Sequence, residues 1–136
     1  MISLDEIAKN LPPLFCGVFV AILFLQSGLD KVLDWSGNLG WLTGHFSRTP
    51  LAAMVPMMLG TITVLELVTG LLAVAGLAAF MISGATNILF YSSSAGAASI
   101  TALFFGQRIA KDYAGAAVLV PYFLLVVLMM YITRPA

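Results

Sequence analysis

Charged residues are scarce in this chain, and neither sign is in excess. Only 9% of its 136 residues are charged, six basic and six acidic, whereas 61% are hydrophobic. A soluble domain has about 25% charged and about 45–50% apolar residues. The charge balance leaves no basic patch for nucleic acid, so we expect no partner of that kind. The composition predicts an integral membrane protein whose first partner is the lipid bilayer.

Cysteine and histidine are nearly absent. Cys16 is the only cysteine and His45 the only histidine. These counts exclude a disulfide within the chain and a CxxC redox pair. A zinc site or a bis-histidine haem site would lack ligands. We therefore predict no metal site, no intrinsic cofactor and no catalytic residue, and expect no independent catalytic activity.

Long hydrophobic runs, in contrast, fill the chain. A helix of about 20 apolar residues crosses the hydrocarbon core of a bilayer. Four such runs occur, at about residues 14–30, 54–77, 80–105 and 114–133. The predicted fold is all-α, with residues 1–136 forming one integral membrane four-helix bundle. Residues 75–79 are the only segment available for a turn between the second and third runs.

The one long connection, residues 34–50, separates the first two runs. Trp35, Leu39, Leu42 and Phe46 recur at spacings of three and four, which indicates a helical face. Tryptophan rings favour the membrane–water interface, so we predict a short amphipathic helix lying there. His45 lies on this segment and is interpreted as polar surface, with a role near neutral pH as the alternative.

Glu66 is the single charge within the second run and lies close to its middle. A carboxylate at that depth is costly unless it is neutral, paired or hydrated, so it marks a site whose partner must be found. From estimated depths in neighbouring spans we predict Asn87 as the first partner, with Gln26 and Tyr91 in the same polar core. In the alternative interpretation, a protonated Glu66 only joins two helices by a hydrogen bond.

Four spans also bring a set of charged residues to one membrane face. These predicted mouth charges are Asp30, Lys31, Arg108 and Asp112. Together with the polar core they outline a funnel that suits a quinone, a lipid or a proton-linked small solute. The alternatives are structural: Lys31 extends its ammonium to the headgroups, and Arg108 and Asp112 form an ion pair at a helix end.

Two short motifs flank the aromatic connection. The first span ends in Gly28-Leu29-Asp30-Lys31, and the second contains Glu66-Leu67-Val68-Thr69-Gly70. With these motifs and four spans, nearly the whole chain resembles the DoxX family of small bacterial membrane proteins. That group takes its name from subunits associated with a terminal quinol oxidase and with thiosulfate:quinone oxidoreduction. Its distant relatives include cargo receptors and receptor-assembly chaperones.

The resemblance implies a quinone- or lipid-binding accessory subunit of a membrane redox complex in the bacterial inner membrane. A bound quinone or lipid would then be the only cofactor, and other membrane subunits or further copies of the chain would be the partners. Two alternatives stay open. One is a non-catalytic assembly factor or chaperone that docks other membrane helices. The other is a small-solute transporter, which at this length would need to be an oligomer.

Overall fold

The computed structural model describes all 136 residues and contains six α-helices and no strand. The helices are α1 (Leu4–Lys9), α2 (Leu11–Leu33), α3 (Trp35–His45), α4 (Val55–Ser83), α5 (Asn87–Ile109) and α6 (Tyr113–Thr133), with a 3-10 turn at Ala52–Met54. Four of them, α2, α4, α5 and α6, are long and apolar enough to cross a membrane. The all-α fold and the four spans are thus confirmed, and the chain is a multi-pass membrane protein.

The four spans form a bundle in which sequence neighbours are also neighbours in space. Helix α2 packs on α4, α4 on α5 and α5 on α6, and α6 returns to α2 through a smaller contact. Phe24, Leu89, Val126 and Met129 lie in the core between them. Large apolar side chains also cover the outside of the bundle, as expected where lipid tails replace water.

The turn between α4 and α5 lies further along the chain than predicted. Helix α4 continues to Ser83 and ends at Gly84, whose φ of 77° is the left-handed conformation that glycine adopts readily. Gly76, inside the predicted turn, is instead helical, and a Cβ there would lie 2.8 Å from the backbone nitrogen of Leu89. This glycine allows α4 and α5 to approach closely. The third span therefore begins at Asn87 rather than near residue 80.

Helices α2 and α4 also approach closely, through two glycines. A Cβ on Gly28 would lie 2.7 Å from Leu67 Cδ2, and one on Gly70 would lie 2.9 Å from a backbone nitrogen of α2. Small residues permit such close backbone approach in membranes. The segment 28–31 of α2 and the segment 66–70 of α4 are therefore the two sides of one helix crossing.

Helix α3 packs against α2 and α4 at the end of the bundle that also carries the α5–α6 connection. Phe46, directly after α3, is buried, and its ring lies beside Gly106 of α5. Trp41 projects outward and remains largely exposed. The predicted helix between the first two spans is thus confirmed, and its apolar edge closes over the ends of α4 and α5.

Candidate ligand-binding site

Glu66 is paired with Lys31. The ammonium Nζ of Lys31 lies 2.9 Å from Oε1 of Glu66, whose side chain is only 2% exposed. The same Nζ donates to Ser27 Oγ at 2.9 Å and to the Ser27 carbonyl oxygen at 3.4 Å. Lys31 therefore extends into the bundle toward a buried carboxylate instead of outward to the headgroups.

This contact leaves Glu66 with hydrogen-bonding capacity. Oε1 is buried and has no hydrogen-bonding partner besides this ammonium. Buried carboxylates usually accept several hydrogen bonds. The charge of Glu66 is thus compensated while Oε1 still has a hydrogen bond to accept.

A second buried polar atom lies at the same depth on the neighbouring helix. Ser99 Oγ is fully buried and has no hydrogen-bond partner. Ser92 donates to the Thr69 carbonyl oxygen at 2.7 Å, and Gly96 faces the Thr69 side chain. Because α4 and α5 run antiparallel, one further turn places Ser99 at the level of Glu66. Two buried polar atoms therefore lie at one level of the bundle interior.

A cavity of about 480 Å³ lies between α3, α4 and α5, and Lys31 forms part of its wall. Binding pockets for small molecules typically measure about 300–1,000 Å³ and are mostly apolar. The cavity fits both criteria. Aromatic rings, methionines and a few neutral polar groups line it: Trp41, Phe46, Phe105, Met54, Met57, Met58, Asn38, Thr61 and Gln107.

His45 connects the helices at the edge of this cavity, which we call its rim. Its Nε2 lies 2.7 Å from Gln107 Oε1 and 3.7 Å from Asp112 Oδ2. Its ring stacks on Trp41 with 4.5 Å between centroids. Trp41 and Gln107 both line the cavity, so His45 links α3 to the ends of α5 and α6. The interpretation of His45 as polar surface missed this contact, because no spacing in the sequence relates it to Gln107.

The other predicted mouth charges reach the same end of the bundle but do not line the cavity. Arg108 is exposed and lies over the Tyr113 ring at 4.5 Å. Asp112 caps α6 by accepting the Gly115 N–H at 2.9 Å. The predicted ion pair between Arg108 and Asp112 is not formed. Asp30 is exposed to the surroundings of the bundle.

The predicted partners of Glu66 lie elsewhere. Asn87 is exposed at the start of α5, twelve residues before Ser99 and so about 18 Å along the bundle axis from the level of Glu66. Gln26 is exposed on the outside of α2, because Ser27 and Lys31 occupy the inner face at the i,i+4 spacing. Tyr91 is 56% exposed. The prediction that these three residues surround Glu66 is wrong.

No three of the His, Cys, Asp and Glu side chains lie close enough together to hold a metal ion. The fold and the site together define a multi-pass membrane protein in which a buried ion pair lies beside an apolar cavity. Compared with models of known families, with functionally characterised proteins and with solved structures, the chain matches none of them.

Proposed function

We propose that this protein is a quinone- or lipid-binding accessory subunit of a redox complex in the bacterial inner membrane, in line with its resemblance to the DoxX family. The observation that carries the proposal is the cavity of about 480 Å³ with Lys31 in its wall. A mostly apolar cavity with few polar groups suits an amphiphile, whose apolar body fills the space while its polar atoms bind at fixed points.

The residues around the cavity have different roles in binding the ligand. Apolar side chains such as Met57 and Phe105 contact the body of the ligand. Lys31 donates a hydrogen bond to its polar end, because the contact of Nζ with the Ser27 carbonyl oxygen is long, at 3.4 Å, and easily exchanged. Glu66 holds the ammonium at this position. In this role the ion pair positions a donor and performs no reaction.

The interior of the bundle favours binding over transport. Polar groups extend from the cavity through Lys31 and Glu66 to the level of Ser99. Beyond that level, toward the chain termini, the buried hydroxyls of Ser92 and Ser93 donate to backbone carbonyl oxygens, and Leu89 and Met129 are fully buried in an apolar core. A hydrated path across the membrane would need polar or spacious surroundings along its whole length. The site is therefore confined to the end of the bundle where α3 packs.

An assembly factor is the second candidate function, and two exposed residues favour it. Gln26 and Tyr91 lie within spans α2 and α5 and point away from the bundle. Polar side chains inside a membrane are generally hydrogen-bonded to a neighbouring helix. Their position supports contact with another membrane protein, which an accessory subunit requires as well.

Purification from the native membrane in mild detergent tests the proposal. Mass spectrometry should identify stoichiometric oxidoreductase subunits together with a retained quinone or lipid. Stoichiometric partners without a retained amphiphile would favour the assembly factor. A chain that emerges alone or as a homo-oligomer, with bulk lipid only, would contradict the accessory role.

A further inference from the structure

We infer that the cavity selects an amphiphile with an uncharged head group bearing hydrogen-bond-accepting oxygen atoms, and that it discriminates against anionic head groups. This inference rests on the proposed function, since it concerns the ligand class of the same cavity. Its basis is the charge of the cavity wall and the donor that Lys31 contributes to it.

The cavity wall carries no net charge that would attract an anion. Lys31 is the only charged residue that lines the cavity, and Glu66 Oε1 lies 2.9 Å from its ammonium. Two opposite charges at this separation in a low-dielectric interior largely cancel each other's field. A phosphate placed against Lys31 would also approach the Glu66 carboxylate, and the resulting repulsion would offset the attraction.

The surrounding loops do not change this balance. At this end of the bundle the basic residues are Lys31, Arg48, Arg108 and Lys111, and the acidic ones are Asp30, Asp34, Glu66 and Asp112. Four positive charges therefore meet four negative charges. Neither sign dominates the entrance, so an anionic lipid gains no steering from the protein's field.

Among the non-aromatic polar side chains of the wall, Lys31 is the one that can only donate, whereas Asn38, Thr61 and Gln107 each carry both a donor and an acceptor. Gln107 Oε1 lies 2.7 Å from His45 Nε2, and Nε2 of Gln107 lies beside Gly115 of α6. Lys31 can donate to a ligand from the N–H that points to the distant Ser27 carbonyl oxygen. A charged donor in the wall of an apolar cavity matches a ligand with a carbonyl or ether oxygen.

Ligand titration in native mass spectrometry tests this selectivity with two probes, decylubiquinone and dioleoylphosphatidylglycerol. Wild-type protein should bind decylubiquinone more tightly than the anionic lipid. Glu66→Gln removes the compensating charge and keeps the shape of the side chain. Lys31 then presents an unpaired ammonium, and binding of the anionic lipid should rise about tenfold, as expected for a new charge-assisted hydrogen bond.

A second variant keeps the test decisive if Glu66→Gln folds poorly. The double variant Lys31→Gln/Glu66→Gln carries no charge at the wall but retains an N–H donor at residue 31, so it should still prefer decylubiquinone. Lys9→Gln, which removes an exposed charge at the opposite end of the bundle, is the matched control and should leave both affinities unchanged.

The outcomes separate the inference from the proposed function. Preference of wild-type protein, or of the double variant, for the anionic lipid would overturn the inference while leaving an amphiphile-binding cavity in place. An unchanged affinity of Glu66→Gln for the anionic lipid would overturn it as well. If neither probe binds wild-type protein in preference to a variant whose cavity is filled by Ala102→Trp, the proposed function itself fails.

Discussion

The Lys31 ammonium lies 2.9 Å from the Glu66 carboxylate, and glycines flank this contact on both helices. Gly28, one turn before Lys31, packs on α4, and Gly70, one turn after Glu66, packs on α2. The glycines bring the backbones together, and that approach places the ammonium within reach of the carboxylate. The two sequence motifs are therefore one structural unit, in which packing and electrostatics depend on each other.

Removing one member of the ion pair should destabilise the bundle more than removing both. Lys31→Met leaves Glu66 buried without its counter-charge, and breaking a buried pair in this way costs about 3–5 kcal/mol. The double variant Lys31→Met/Glu66→Met should recover most of that loss. Thermal unfolding in detergent measures the difference, with Lys111→Met as the exposed control. Equal stability of Lys31→Met and wild type would show that the pair contributes nothing to the fold.

The α2–α4 crossing should tolerate no side chain at Gly70. A Cβ there would lie 2.9 Å from a backbone nitrogen of α2, so Gly70→Ala must separate the helices. Overpacking of this kind costs about 1–3 kcal/mol, and we expect a lower unfolding temperature and weaker ligand retention. Gly40→Ala is the control, since a Cβ at Gly40 meets nothing within 4 Å. A Gly70→Ala variant as stable as Gly40→Ala would contradict this packing.

Ser99 should be coupled to Glu66. Glu66 Oε1 has only the Lys31 ammonium as a partner, Ser99 Oγ has none, and we expect a water molecule at this level to bond to both. Ser99→Ala should therefore lower stability by about 1 kcal/mol, and by less in a Glu66→Gln background. The control is Thr101→Ala, whose exposed hydroxyl bonds only within α5. Equal effects of Ser99→Ala in the wild-type and Glu66→Gln backgrounds would show that the two residues are independent.

His45 should hold α3 against the rim of the cavity. His45→Ala removes the contact with Gln107, and hydrogen exchange in residues 39–46 should become faster while α4 stays protected. Thr43→Ala lies on the same helix and bonds only to the Leu39 carbonyl oxygen, so it should leave exchange unchanged. If the two variants exchange alike, α3 is held by apolar packing alone.

The fold was predictable because hydropathy fixes the number of spans. Their ends were predictable only where a local signal exists. The Ser83-Gly84 end of α4 was missed because Gly76, within an apparent turn, is needed for contact with Leu89. A glycine at a turn and a glycine at a helix contact look the same in the sequence. Because of that misplaced end, Asn87 was predicted in the membrane interior, whereas it lies at the start of α5.

The candidate site was predictable in part for a similar reason. A carboxylate within an apolar run indicates that a partner exists. The sequence therefore identified Glu66 but did not identify its partner. Lys31 was placed at the mouth because long side chains near helix ends commonly extend outward. The i,i+4 spacing of Ser27 and Lys31 was the available signal that the side chain turns inward. The contact of His45 with Gln107 has no local signal, since it depends on how α3 packs.

Cavity filling tests the central claim, that the space beside Lys31 binds an amphiphile. Ala102 lines the cavity, whereas Ala98 lies one turn earlier on α5 and is exposed on the bundle surface. Mass spectrometry of ligands retained after purification should compare wild type, Ala102→Trp and Ala98→Trp at equal stability. We expect Ala102→Trp alone to lose the bound quinone or lipid. Equal retention by all three proteins would contradict it.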